Sequence, residues 1–131
     1  MAINVSWKLQ AAVQGGPNLA AEQPSLSVDA YDVTQVTVPK GAAGLTVHVQ
    51  PTLAAGEKAV FFALTSSQYD AAKLTYTVNA NVAIHSLDAP LLLIGGGAVG
   101  LLDATPVYTL AISNALDNPV NIQILVGRNS A

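Results

Sequence analysis

Apolar residues recur at every second position through most of this chain, and that period decides its fold class. Ile3, Val5, Trp7, Leu9, Ala11 and Val13 alternate with Asn4, Ser6, Lys8, Gln10 and Ala12. An extended strand sends successive side chains to opposite faces, so the pattern builds one apolar face. Gly15-Gly16-Pro17-Asn18 then breaks it. Alternation resumes at Leu26, Val28 and Ala30, continues through Val36 and Val38, and stops at Pro39-Lys40-Gly41. Leu45, Val47 and Val49 form another strand, ended by Pro51. Ala59–Leu64 is apolar on both faces, as a central strand requires. Leu74 to Ile84 is the longest clean alternation in the middle of the chain, and Asn79 and Asn81 within it permit a kink or bulge. Leu91–Ile94 and Tyr108 to Ile112 follow, and Val120 to Val126 closes the set after the turn signal Asp117-Asn118-Pro119.

The expectation is an all-β chain of eight or nine strands. Only Ser67–Lys73 could make one or two helical turns. Many short strands at this spacing point to a β-sandwich, jelly roll or barrel. No internal repeat and no long linker divides the chain, so residues 1–131 are expected to form a single domain. There is no cysteine, which removes disulfides, thiolate metal sites and thiol nucleophiles together.

Charge is scarce. Five basic and eight acidic residues stand among 131, a tenth of the chain where roughly a quarter is usual. A compact monomer of this mass exposes on the order of 6,500 Å². A surface so thinly ionised is poor protection against association, which suggests that other subunits normally share it. Lys8, Lys40, Lys58, Lys73 and Arg128 are scattered. Phosphate recognition needs clustered cations, so nucleic acid is not an expected partner. No apolar run approaches the ~20 residues that span a bilayer, and no basic start precedes an apolar block, so neither a membrane segment nor a signal peptide is read.

Motifs with catalytic or cofactor overtones fail on context. Gly95, Gly97 and Gly100 spell G-x-G-x-x-G, but a dinucleotide site needs a following helix and alternating βα units. Leu101 to Thr105 instead runs into Pro106, so the expected reading is a glycine loop between strands. His48 and His85 sit in strand patterns, while metal sites need three or more convergent ligands. His85-Ser86-Leu87-Asp88 is adjacency in sequence, not triad geometry. Asp29 and Asp32 flank Tyr31 as a solvated strand end, two carboxylates being too few for calcium. No catalytic, cofactor or metal residue is assigned, and a non-enzymatic role is expected.

Contact elements are easier to nominate. Ile3 to Val13 could extend about 35 Å, long for a strand in a small sandwich. It can lie within its own sheet, or residues 1–14 can project as an arm onto a neighbouring subunit. Val120 to Val126 is β-prone and uncharged, so it must be central or covered. Trp7 and Phe61-Phe62 are core or interface anchors. The apolar flanks of the glycine loop suit a contact surface. The expected partner interface is Ile3, Val5, Trp7 and Leu9 with Leu91, Leu92, Val99 and Leu101.

The opening stretch INVSWKLQAAVQGGPNL, the segment LSVDAYDVTQVTVP and the cysteine-free all-β composition resemble small virion structural proteins of tailed bacteriophages. Head decoration, or cement, proteins are nearest in size and character. The resemblance implies a β-sandwich or jelly-roll-like domain that assembles as a homo-oligomer, often a trimer, on a capsid lattice. It implies a clamp across major capsid protein junctions on the virion surface, with no active site and no cofactor. Other readings are a tail, fibre or pilus subunit using a donated strand, or a lectin-like module reading sugars through Asn, Gln and Asp.

Overall fold

The computed structural model describes residues 3–12, 14–103 and 105–129; Val13 lies outside them, as do the side chains of Asn18 and residues 21–26. Ten strands form, β1 (Ile3–Ala12), β2 (Asn18–Val28), β3 (Ala30–Val38), β4 (Leu45–His48), β5 (Lys58–Ser66), β6 (Asp70–Val78), β7 (His85–Leu87), β8 (Leu91–Ile94), β9 (Thr109–Asn114) and β10 (Val120–Asn129), with one helical turn, α1 (Gly96–Val99).

The last eight strands make two four-stranded antiparallel sheets, ordered β3-β10-β5-β8 and β4-β9-β6-β7. Within them β3 pairs with β10, β4 with β9, β5 with β8 and β6 with β7. That nesting is one long eight-stranded hairpin rolled up so that its two ends close a sheet together. It is a jelly roll, the β-sandwich built from two Greek keys. β10 lies between β3 and β5, so the uncharged run at its core is sheltered on both edges. β5, apolar on both faces, is likewise interior.

The alternation supplies the core between the sheets. Val38, Phe62, Leu64, Val120, Ile122, Ile124 and Val126 from one sheet meet Val47, Leu74, Tyr76, Val78, Leu110 and Ile112 from the other. Side chains of this size each contribute roughly 1.5–3 kcal/mol when buried. Asn114, fully buried at the end of β9, donates its amide across to the Val38 carbonyl at 3.1 Å.

Two expectations about local structure need correction. Ser67–Lys73 is not helical; β6 begins at Asp70. The Asp70 carboxylate takes the Ala72 and Lys73 N–H groups, both at 2.8 Å, as it would at a helix start. The alternating Leu74, Tyr76 and Val78 then draw the chain into the sheet. The long alternation toward Ile84 also ends early, at Val78. Asn79 and Ala80 take left-handed conformations, φ 51° and 61°. The Asn79 side chain holds this corner: its Nδ2 donates to the Pro106 carbonyl at 2.8 Å, and its Oδ1 accepts from the Tyr108 N–H at 2.8 Å. Val82 and Ile84 consequently stand in solvent.

Among the described residues β1 and β2 pair only with each other. Gly15, at φ 74°, serves the turn between them. Two steps along β1, from Val5 to Trp7, face three along β2, from Leu26 to Gln23. The extra residue is a bulge, and it falls beside Pro24, which has no N–H for a ladder. The N-terminal strand is therefore half of a hairpin arm, about 33 Å long, and not a strand of the sandwich.

Candidate interaction surface

The arm is attached tightly at its base. Asp29 alone separates β2 from β3. Its N–H donates to the Arg128 carbonyl at 2.9 Å and to Asn129 Oδ1 at 3.0 Å. Arg128, the single arginine, pairs with Asp32 at 2.8 Å and lies 3.7 Å from Glu57. Asp32 is thus an ion-paired residue at the arm's root, not a solvated strand end.

Val28 and Phe61 are buried, yet neither belongs to the core between the sheets. They meet on the outer face of the β3-β10-β5-β8 sheet, above Gly127. A Cβ at Gly127 would stand 3.0 Å from Val28 and 3.3 Å from Phe61. Glycine is what lets the arm's root seat there. Gly127→Val should cost about 1–3 kcal/mol by overpacking. Thermal unfolding would show it, and an unchanged melting temperature would remove this role from Gly127.

Every described side chain from Lys8 to Ala20 is exposed. The total accessible surface, 7616 Å², exceeds the about 6,500 Å² of a compact chain of this mass. Register places Leu9, Ala11 and Leu19 on one face of the ribbon, with Lys8 and Gln10 on the other. Leu9 is 44% and Leu19 60% exposed. An isolated two-stranded hairpin is marginal in water, and one with an uncovered apolar face is more so.

The adjoining sheet face is divided. Tyr31, Gly127, Phe61 and Ile94 lie opposite one another across its four strands, and Val33, Leu125, Ala63 and Leu92 form the next row. Neither row contains an ionised group. Tyr31, Val33 and Leu92 are exposed. The rows beyond are amides and hydroxyls: Gln35, Gln123 and Thr65, then Thr37 and Asn121. This polar half forms an open cleft of about 660 Å³. No protein-family model, curated protein or solved structure matches the chain.

The residues nominated from the sequence divide accordingly. Ile3, Val5 and Trp7 are half-buried in the proximal arm and Leu9 is exposed in its distal half. Leu92 is exposed on the outer sheet face, while Leu91 packs against the core. Leu101 is 86% exposed. Val99 is a correction: it is 6% exposed and packs inside the core, so no partner can reach it. The glycine loop folds as the single turn α1 and pins itself to β5, Gly95 N–H donating to the Val60 carbonyl at 2.7 Å. Four residues in an antiparallel setting are not the helix that a dinucleotide site requires.

The sequence does not single out Leu19, Val33 and Leu125 as surface residues. Val33 had left a trace in the sequence, being out of phase with Val36 and Val38 on the same strand.

The remaining polar clusters are bonded within the fold. His85 stacks on Tyr76 at 5.3 Å, and Ser86 donates to the Ala71 carbonyl at 2.7 Å. Burial, and secondarily Asp88, pushes the Tyr76 hydroxyl above its usual value. Among the described residues no group of three His, Asp or Glu could hold a metal, and no helix is long and apolar enough to cross a membrane. The Asp103 carboxylate takes Asn79 Nδ2 and Asn81 Nδ2, both at 2.9 Å. Those bonds, Asn79's foremost, with the Thr105 donors, hold its pKa below 3.8. A carboxylate so lowered stabilises the fold above its unfolded pKa, and the effect is lost as pH falls from there through the lower folded pKa. Asp103→Asn should flatten that acid limb in denaturation midpoints measured across this range. An unchanged limb would place the acid sensitivity elsewhere, Asp70 being the next such group.

Proposed function

We propose that this chain is a non-enzymatic assembly protein, a decoration or cement subunit of a tailed-phage head that binds across junctions of the capsid lattice. The observation that carries the reading is the hairpin arm, a ribbon attached to a finished sandwich whose described side chains from Lys8 to Ala20 are all exposed. Sparse charge supports it, because unpaired charges are costly to bury at a junction. The jelly roll suits it without deciding it, since one fold serves many functions. Weak contacts repeated over a lattice hold by effective concentration.

The test is sedimentation of phage heads from a lysate that contains the native protein, followed by imaging of the heads. The expected result is comigration of the chain with heads and density for it on the shell. Protein that stays at the top of the gradient would overturn the proposal. Density on tails or fibres would favour the tail or fibre alternative.

The polar cleft favours one further reading, a lectin-like module. Gln35, Thr37, Asn121 and Gln123 offer neutral donors and acceptors of the kind that sugar hydroxyls pair with. It expects glycan-array binding that Gln123→Ala abolishes.

A further inference from the structure

The distal arm and the apolar half of the outer sheet face are two uncovered surfaces of matching character in one molecule. The arm offers Leu9, Ala11 and Leu19 on one face. The sheet offers Val33, Leu125, Ala63 and Leu92, with Tyr31 beside them. Neither surface carries a charge. A neutral apolar ribbon gains by covering such a face, and a charged partner would not.

The arm cannot cover its own sheet. Its single connecting residue, Asp29, is fixed by two hydrogen bonds from its N–H. Val28 is already wedged over Gly127 at the near edge of that face, and Val33 and Leu92 stay exposed with the arm attached. Reaching them would require reversing the chain within one residue.

We infer that the arm of one copy lies on the apolar outer sheet face of a second copy. This rests on the assembly reading above and names its first partner, another molecule of this chain. The area sets the strength of the contact. One face of the free distal ribbon, about 20 Å long and about 10 Å wide, presents on the order of 200 Å². Docked on an equal area and exchanged in both directions, it buries roughly 800 Å², the size of a weak association that repetition over an assembly would reinforce.

The absence of cysteine makes the test clean. Leu9→Cys and Leu92→Cys are made separately in the full chain, mixed, and treated with a bis-maleimide spacer of about 10 Å, with mass measured by light scattering in parallel. The expected result is an oligomeric wild type and a covalent pair joining the two variants. Leu9→Glu with Leu19→Glu should give a monomer with an unchanged circular-dichroism spectrum. Filaments joined by the same 9-to-92 link would also support the contact, since head-to-tail exchange need not close. A wild type that stays monomeric at high concentration, or an oligomer that gives no 9-to-92 link, overturns it. The two proposals fail separately. A monomer that still comigrates with heads sinks arm exchange and leaves the cement reading standing. A linked oligomer that ignores heads does the reverse.

Discussion

Asn114→Ala lowers the unfolding free energy by about 3 kcal/mol, seen as a lower urea midpoint at unchanged slope. Asn114 is fully buried. Its Nδ2 donates to the carbonyls of Val38 at 3.1 Å and Asn118 at 3.0 Å, and its Oδ1 accepts the Leu116 N–H at 2.9 Å. Val38 ends β3 in one sheet and Asn114 ends β9 in the other, so this amide ties the two sheets at one end of the sandwich. Alanine strands a buried carbonyl, and each such orphan costs about 1–3 kcal/mol. Asn114→Asp sharpens the test. It keeps the size but aims carboxylate oxygens at two carbonyls. Burial then favours the protonated form, so its folded pKa rises above the unfolded value. Stability of that variant should be greatest in acid and fall as pH rises toward neutrality. An alanine variant within about 0.5 kcal/mol of wild type would show that the tie contributes little.

Much of this fold was written locally. Strand positions followed from alternation, and their ends from Pro39, Pro51 and Asn118-Pro119, because those signals act over a few residues. Sheet partnership is non-local: nothing near β3 announces that β10 will pair with it, although the apolar, uncharged Val120–Val126 demanded a sheltered place. The phase of β3 was ambiguous for a physical reason. Val36 and Val38 face the core, while Val33 faces out with Tyr31, so one strand carries apolar residues on both faces. The arm was open as an alternative from the length of Ile3 to Val13, but its partner was not. A hairpin through Gly15-Gly16-Pro17 is local, whereas its separation from the sandwich depends on Asp29 and Gly127, far apart in the sequence. Val99 misled because an apolar flank beside glycines looks the same whether it points in or out. Ser67–Lys73 misled because Asp70 satisfies the same N–H groups whether a helix or a strand follows.

Phe62→Ala should be the most damaging single truncation, costing about 3–5 kcal/mol, while its neighbour Phe61→Ala should act mainly on the arm. The two rings are adjacent in sequence and on opposite faces of β5. Phe62 is fully buried in the core, level with Val126 on one side and Leu93 on the other. Removing it leaves a cavity between two sheets that cannot close without moving both, so every core amide should exchange hydrogen faster. Phe61 lies under the arm's root, beside Val28 and level with Gly127. Its loss undercuts Val28 and should release the Asp29 N–H well before the sandwich opens. Hydrogen exchange followed residue by residue separates the cases. In the Phe62 variant, protection should fall together across β5, β10 and β9. In the Phe61 variant, the largest loss should fall at Asp29. Equal, uniform losses in both would mean that arm and sandwich unfold as one unit, and the arm would then be no separable element.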